Sequence, residues 1–178
     1  MQQNKYLKYF NLFALFDTKR TRDIFQVNPT VHTQRQDAPA VDIDVYEYNH
    51  DEFSFKNYKS IEDCRLYAGS NKIAWINIDG IRKTDIEKVC SYFNIHQLIA
   101  EDIVSVGQRP KMDEMEDMLY CLLNMLYFND KTGNVEQEQV SIVLGKNFVI
   151  SFQEDPERDV FNQIRERIKI ANSKIRVA

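Results

Sequence analysis

Hydrophobic and polar residues alternate over VDIDVYEY (41–48), and this period of two predicts a strand with one face on the core. The other predicted strands are KIAWINI (72–78), MLYCLLNMLYF (118–128) and a pair within EQVSIVLGKNFVISFQE (138–154). Turn residues follow three of them, at Asp79-Gly80, at 129–134 and at 145–147. The pattern therefore predicts a strand-rich core whose last two strands form a hairpin, while residues 50–68 fit helix or strand equally well.

Helical periodicity marks three further segments. Residues 84–93 place Ile86, Val89, Cys90 and Phe93 on one face, and Thr84 with Glu87 has the spacing of a capping box. The second helix, predicted to run from His96 to Ser105, is expected to bury Leu98, Ile99 and Ile103 before Gly107 and Pro110 end it. The third, 159–170, is expected to bury Val160, Phe161, Ile164 and Ile168.

The two ends of the chain differ from its centre. Residues 5–16, KYLKYFNLFALF, fit a short amphipathic helix better than a secretory signal, because Lys8 and Asn11 interrupt the apolar run. Polar residues with two prolines follow, so we predict an N-terminal extension and linker over 1–38 and a folded domain over 39–178. The third helix has no stop signal before Ala178, which favours a chain cut from a longer protein.

Composition narrows the function classes. The 178 residues are 43% hydrophobic, which suffices for the core of one domain, and the net charge of −4 argues against nucleic acid as a partner. Three scattered cysteines form no C-x-x-C pair, so neither a disulfide framework nor a thiolate zinc site is predicted. No apolar run approaches the roughly 20 residues that a membrane helix needs.

Candidate chemistry concentrates in LIAEDIVSVGQRPKMDEMED (98–117). Neighbouring helical residues point about 100° apart, so Glu101 and Asp102 cannot both face inward. Their carboxylates are hard donors that suit Mg²⁺ or Ca²⁺, but a solvated helix surface or a general acid and base are also compatible with the residues alone. Arg109 and Lys111 flank a proline, where they are suited to anchor a loop or to meet acids on a partner.

The remaining motifs give weaker indications of function. Scattered glycines make no phosphate loop, and His32, His50 and His96 are isolated from one another, so His96 is expected to start a helix and not to bind metal. The acids of DEMED (113–117) lack the spacing of an EF-hand and are expected to be solvated. The sole tryptophan, Trp75, is expected in the core.

Taken in order along the chain, five motifs resemble the N-terminal cytoplasmic domain of the CorA family of magnesium and cobalt transport proteins. The motifs are WINIDGI (75–81), FNIHQLIAEDI (93–103), QRPK (108–111), EQVSIVLGKNFVISFQE (138–154) and DVFNQIRERI (159–168). The resemblance implies an α/β fold, an α/β/α sandwich in which a mixed, largely antiparallel sheet lies between helical layers. It also implies a homopentamer, whose five domains form a funnel beneath a transmembrane pore.

Family resemblance also implies roles for two residues. Asp102 would hold a regulatory divalent cation, Mg²⁺ or Co²⁺, between neighbouring subunits, with Glu101 near a second metal position, and high Mg²⁺ would favour a closed pentamer. Gln97 stands where the family commonly has proline. The family's stalk helix, two membrane spans and Gly-Met-Asn pore signature do not occur in residues 1–178.

The expected function is therefore that of a regulatory domain, not an enzyme, at the cytoplasmic face of the plasma (inner) membrane, soluble by itself and joined to a membrane region beyond residue 178. Two alternatives share this architecture or part of it: a zinc-transporting, ZntB-like relative, and a stand-alone metal-responsive interaction module. A hydrolase that uses Glu101 or Asp102 is a third alternative, although no nucleophile or phosphate loop accompanies them.

Overall fold

The computed structural model describes residues 36–130, 133–155 and 158–176. The amphipathic helix predicted for 5–16 and most of the predicted linker lie outside the described residues. The proposed boundary between residues 38 and 39 therefore stays a prediction.

Seven strands of the described residues form one sheet in the order β2-β1-β3-β7-β6-β5-β4. Their bounds are β1 Asp42–Tyr48, β2 Phe53–Tyr58, β3 Ile73–Asp79, β4 Lys111–Met115, β5 Met118–Asn129, β6 Asn134–Leu144 and β7 Phe148–Gln153. The central β3 and β7 pair in parallel, whereas the other neighbours pair antiparallel. The predicted mixed, largely antiparallel sheet is confirmed, as are the strands over 41–48 and 72–78 and the hairpin at 145–147.

Helices cover both faces of this sheet. On one face α1 (Lys83–Tyr92), α2 (Gln97–Val104) and a 3₁₀ segment (Ile61–Tyr67) enclose the larger core, which contains Ile76 and Ile150. On the other face α3 (Asn162–Lys169) contributes Ile168 to a smaller aromatic core with Trp75, Tyr46 and Tyr48. Alternation along β1 and β3 sends neighbouring side chains to opposite cores, so the predicted α/β/α sandwich is confirmed.

The start of α1 differs from the prediction. Its stripe of Ile86, Val89, Cys90 and Phe93 is buried as expected. The capping box is wrong, because the helix begins at Lys83 with Arg82 as its N-cap, two residues before Thr84, and the Arg82 side chain caps no helix amide but pairs with Asp85. Instead a remote carboxylate, Asp37 Oδ1, accepts the backbone N–H of Lys83 at 2.9 Å. This first amide is satisfied by tertiary structure and not by a local motif.

The buried face of α3 also differs. Val160 is 54% and Ile164 41% exposed, whereas Arg165 is 7% exposed and Ile168 2%. Arg165 forms an ion pair with Asp159 and lies over the ring of Trp75, 5.5 Å from its centroid. The apolar pattern was misleading here because a paired arginine occupies the position facing the sheet.

Two segments needed the structure to define them. Residues 50–68, which were ambiguous, contain β2 and the 3₁₀ segment. Residues 111–115 form the edge strand β4, whereas the sequence predicted only solvated acids at 113–117. Lys111, Asp113 and Met115 lie half-buried on one face of β4, and Met112 and Glu114 are exposed on the other. A charged edge strand is a common protection against pairing with other chains.

Candidate functional site

Helix α2 brings the predicted site residues to the margin of the larger core. Its N-cap is His96, whose Nδ1 accepts the backbone N–H of Leu98 at 3.2 Å, so the prediction that His96 starts a helix is confirmed. Ile99 and Ile103 are buried as predicted. The expectation for Leu98 is wrong: it is 53% exposed, because this helix turns the small Ala100 toward the core instead.

Glu101 and Asp102 occupy different environments. Glu101 is exposed, and its carboxylate accepts a long hydrogen bond from the Gln97 amide at 3.5 Å. The Asp102 side chain is 18% exposed and reaches the loop and edge strand that follow α2. The prediction that at least one of the pair faces outward is confirmed, and within the described part of the chain the two share no hydrogen-bond partner that would make them an acid and base couple.

Both carboxylate oxygens of Asp102 have partners. Lys111 Nζ lies 2.5 Å from Oδ2, and Gln108 Nε2 donates to Oδ1 at 3.2 Å. The same ammonium lies 3.1 Å from Asp113 Oδ2. We call Asp102, Lys111 and Asp113 the Asp102 cluster. Lys111 thus anchors the loop, one of the two roles that its position beside Pro110 suggested.

Electrostatics within the Asp102 cluster favour the charged lysine. Burial alone would lower the pKa of Lys111, but hydrogen bonds and Coulomb attraction from Asp102 and Asp113 outweigh it, so the pKa lies above its usual value. The cluster holds two carboxylates against one ammonium and therefore carries an excess negative charge. Lys111 Nζ also lies 5.8 Å from the centroid of the buried Tyr120 ring.

The backbone beneath this cluster is tied to the sheet. Gln139 in β6 donates through Nε2 to the carbonyl oxygens of Asp102 at 3.3 Å and Ser105 at 3.0 Å. The Ser105 hydroxyl in turn donates to the carbonyl of Glu101 at 2.8 Å. These bonds satisfy carbonyls at the end of α2 that the helix itself leaves free. The Asp102 carboxylate consequently projects from a fixed backbone.

The donor set fits part of a hard-cation site. Mg²⁺ is often held by one or two carboxylates while it keeps several waters, and Asp102 with its neighbour Glu101 can supply such donors. Across residues 36–130, 133–155 and 158–176, no group of three or more His, Cys, Asp or Glu side chains is arranged to hold a metal. These residues alone therefore offer an incomplete coordination shell.

Other candidates from the sequence take structural or surface positions. His50 is exposed and bonds Asp51 at 2.7 Å, and His32 lies outside the described residues. Glu114, Glu116 and Asp117 are exposed around the β4–β5 turn, as their predicted solvation requires. Trp75 is 5% exposed and stacks on Tyr46 with ring centroids 4.9 Å apart, so its core role is confirmed.

A buried polar layer under α3 escaped sequence analysis. Trp75 Nε1 donates to Ser151 Oγ at 2.9 Å, Ser151 Oγ donates to Asn77 Oδ1 at 2.6 Å, and Asn77 Nδ2 donates to Asp79 Oδ2 at 3.0 Å. Burial, reinforced by Asp159, raises the pKa of Asp79 to about 6. The available signal was the alternation of polar with apolar residues in WINID and SFQ, which indicates a strand face lined by polar groups.

No helix within the described residues combines the length and hydrophobicity needed to cross a bilayer.

Comparison with known proteins identifies the family. The family model for CorA-like Mg²⁺ transporter proteins matches residues 70–177. The cobalt/magnesium transport protein CorA of Thermotoga maritima is 38% identical over 136 residues, which are 76% of this chain and 38% of that protein. This chain thus spans well under half the length of that relative.

Solved structures agree on the fold. The crystal structure of the ZntB cytoplasmic domain from Vibrio parahaemolyticus matches with a TM-score of 0.54 at 12% identity, over 72% of this chain and 50% of that one. The full-length CmaX protein matches with a TM-score of 0.53 at 13% identity, over 75% of this chain and 40% of that one. Similarity at such low identity concerns architecture only. The family match, which covers more than half of the sequence, shows that this chain belongs to the family of CorA-like Mg²⁺ transporter proteins.

Proposed function

We propose that this chain is the cytoplasmic regulatory part of a divalent-cation transporter, and that it responds to Mg²⁺ or Co²⁺ through Asp102. The observation that carries the proposal is the placement of Asp102: its carboxylate projects from a backbone fixed by Gln139 and reaches the protein surface at 18% exposure. Family membership and 38% identity to a cobalt/magnesium transport protein support the choice of ligand.

The incomplete shell at Asp102 argues for binding between copies of the chain. One carboxylate with the adjacent Glu101 cannot surround an ion, so a second copy would supply the remaining protein oxygens and water the rest. A cation at such a contact would screen repulsion between acidic surfaces of a chain whose net charge is −4. We propose a homopentamer attached to a membrane region, in which bound cation favours the closed arrangement.

The chemistry around Asp102 favours a hard cation over zinc. Zn²⁺ in proteins is bound mainly by histidine and cysteine, and the side chains that contact Asp102 are an amide and an ammonium. The ZntB-like alternative thus draws no support from this position. Ion preference is measurable by comparing Mg²⁺, Co²⁺ and Zn²⁺ in the titration described next.

The test is a Mg²⁺ titration of the 178-residue chain, with thermal unfolding and sedimentation velocity as readouts, at constant ionic strength. A ligand that binds the folded state raises the unfolding midpoint as its concentration increases. We expect the rise in the chain as given and its loss in Asp102→Asn. Asp117→Asn removes the same charge from an exposed turn residue and is the matched control.

An identical response of the chain as given and of Asp102→Asn would refute the assignment of Asp102. Removal of Mg²⁺ by EDTA should return the midpoint to its starting value. If Zn²⁺ raised the midpoint at lower concentration than Mg²⁺ and the rise still required Asp102, the zinc-transporting alternative would replace the Mg²⁺ proposal.

A further inference from the structure

Within the protein, the Asp102 carboxylate already pairs with a cationic side chain, that of Lys111. Lys111 Nζ lies 2.5 Å from Asp102 Oδ2 and 3.1 Å from Asp113 Oδ2, so one ammonium bridges two carboxylates. Asp102 belongs to α2, whereas Lys111 and Asp113 stand two residues apart on the same face of β4. The ammonium can therefore leave Asp102 without leaving Asp113.

A divalent cation and this ammonium compete for Asp102. Two positive centres within a few ångströms repel each other, and Lys111 Nζ already stands at hydrogen-bonding distance from Oδ2. Lysine carries a compact charge on a flexible four-carbon stem, which allows the head group to move while the backbone of β4 stays paired. The Lys111 and Asp113 side chains, 34% and 37% exposed, lie where water can solvate the displaced group.

Gln108 does not impose the same conflict. Its amide nitrogen now donates to Asp102 Oδ1 at 3.2 Å. A rotation of the amide would present its carbonyl oxygen instead, which is a ligand that Mg²⁺ accepts. The obstacle to a cation at Asp102 is therefore the charge of Lys111.

From this geometry we infer that Lys111 is a built-in competitor of the divalent cation, occupying Asp102 until the cation displaces it onto Asp113. The inference rests on the proposed function and adds its regulation. Since only molecules with a vacated Asp102 bind the cation, the apparent affinity is the intrinsic affinity multiplied by the vacated fraction. Lys111 consequently sets the cation concentration at which the domain responds.

Two substitutions of Lys111 and one control substitution of Arg109 in the 178-residue chain test this. The measured quantity is the half-saturating Mg²⁺ concentration, from the thermal unfolding midpoint. In Lys111→Met the aliphatic stem is kept and the ammonium removed, so we expect half-saturation at about five-fold lower Mg²⁺, the size of a partly exposed ion pair. Arg109→Met removes the same charge from an exposed neighbour and should change the half-saturating Mg²⁺ concentration less than two-fold. Lys111→Arg retains an ion pair with Asp102 and should not lower the half-saturating Mg²⁺ concentration.

A second readout follows the ammonium itself. The ¹⁵N resonance of the Lys111 ammonium, assigned by its loss in Lys111→Arg, should shift as Mg²⁺ is added, and it should stay constant in an Asp102→Asn background. A Lys111 resonance that ignores Mg²⁺ while the unfolding midpoint rises would overturn the competition.

The remaining outcomes separate this inference from the proposed function. If Lys111→Met and Arg109→Met lowered the half-saturating Mg²⁺ concentration equally, a general effect of charge would replace the inferred competition. Half-saturation unchanged in Lys111→Met, with the response abolished in Asp102→Asn, would overturn the competition and leave the metal site standing. No Mg²⁺ response in the chain as given or in Lys111→Met would overturn both.

Discussion

Gln139 Nε2 lies 3.3 Å from the backbone oxygen of Asp102, which joins the end of α2 to β6 across 37 residues of sequence. Gln139 is 6% exposed, so its amide is withdrawn from water and depends on the helix carbonyls for partners. The position of the Asp102 carboxylate is thus set in part by a strand that lies outside the Asp102 cluster.

Gln139→Leu is expected to lower the free energy of unfolding by about 1–2 kcal/mol, because it leaves the carbonyls of Asp102 and Ser105 without this donor. The Ser105 amide, which donates to the carbonyl of Glu101, should then exchange faster with solvent. Urea unfolding and hydrogen exchange measure the two effects. Gln137→Leu, at an exposed position on the same face of β6, should show neither, and equal losses in both variants would contradict the role of Gln139.

Asp79 should make stability depend on pH in an unusual direction for an aspartate. The pKa of Asp79 is about 6 in the folded chain, against 3.8 for a free aspartate side chain. Between these two pH values the folded state therefore binds more protons than the unfolded state. The free energy of unfolding should therefore fall as pH rises from about 4 to 6, by at most about 3 kcal/mol, and level off above.

Asp79→Asn keeps an oxygen to accept from Asn77 and has no charge to bury. This variant should unfold with a higher free energy than the parent at pH 7 and with a similar one near pH 4. A weaker slope should persist from Glu138, whose pKa burial also raises. Urea titrations between pH 4 and pH 7 measure how the free energy of unfolding depends on pH. If Asp79→Asn kept the slope of the parent, or if Asp117→Asn reduced the slope equally, Asp79 would be excluded as its source.

Arg165 should be the charged residue on α3 whose loss costs most. Replacement by methionine leaves Asp159, 15% exposed, without its ion-pair partner and removes the guanidinium from the rings of Tyr46 and Trp75. We expect a loss of about 3 kcal/mol, as for other broken buried pairs. The fluorescence of the sole tryptophan provides the signal in urea unfolding. Arg167→Met, exposed on the same helix, should cost little.

The double variant Arg165→Met with Asp159→Asn tests the cause of that loss. Removing the stranded carboxylate should recover part of the stability. If Asp159→Asn gave no recovery, lost packing against the rings and not the unpaired charge would account for the effect.

Gly80 should tolerate no side chain. Its φ is +88°, and an added Cβ would lie 2.4 Å from the carbonyl oxygen of Ala40, which is backbone and cannot rotate away. Gly80→Ala is expected to lower the free energy of unfolding by 2 kcal/mol or more, an order-of-magnitude figure for combined strain and overpacking. Gly69→Ala, with no atom within 4 Å of the new Cβ, is the control, and calorimetry should find it near neutral.

The hydrophobic pattern predicted those strands whose burial is visible in their own residues. Alternation in 41–48 and the apolar run at 72–78 identified β1 and β3 because burial on one or both faces leaves a direct mark on composition. The charged β4 left no such mark, since an edge strand with one solvated face can be built from lysine and acids. The α1 capping box failed because the helix begins before Thr84, and its first amide, that of Lys83, is bound by Asp37, 46 positions away in the sequence.

Around Asp102 the helix α2 could be predicted from the sequence, whereas the side-chain pairing could not. Helix geometry alone predicts that at least one of Glu101 and Asp102 faces outward, but it does not say which. The contact between Asp102 and Lys111 depends on the turn at Gly107 and on the registration of β4, which no periodicity specifies. Leu98 and Arg165 show the same limit: a hydrophobic residue at the right spacing stays exposed, and an arginine is buried, when a partner elsewhere in the fold decides the packing.

The parallel pairing of β3 with β7 divides the sheet into an N-terminal group, β2-β1-β3, and a C-terminal group, β7-β6-β5-β4, each joined internally by antiparallel neighbours. Strands in each group form contacts between near positions in the sequence, whereas Ile76 must find Ile150 across more than 70 residues. Closing so long a loop costs entropy before any contact repays it. The two groups can therefore collapse early and separately during refolding, and the meeting of Ile76 with Ile150 is expected to be the slow step that commits the chain to its native state.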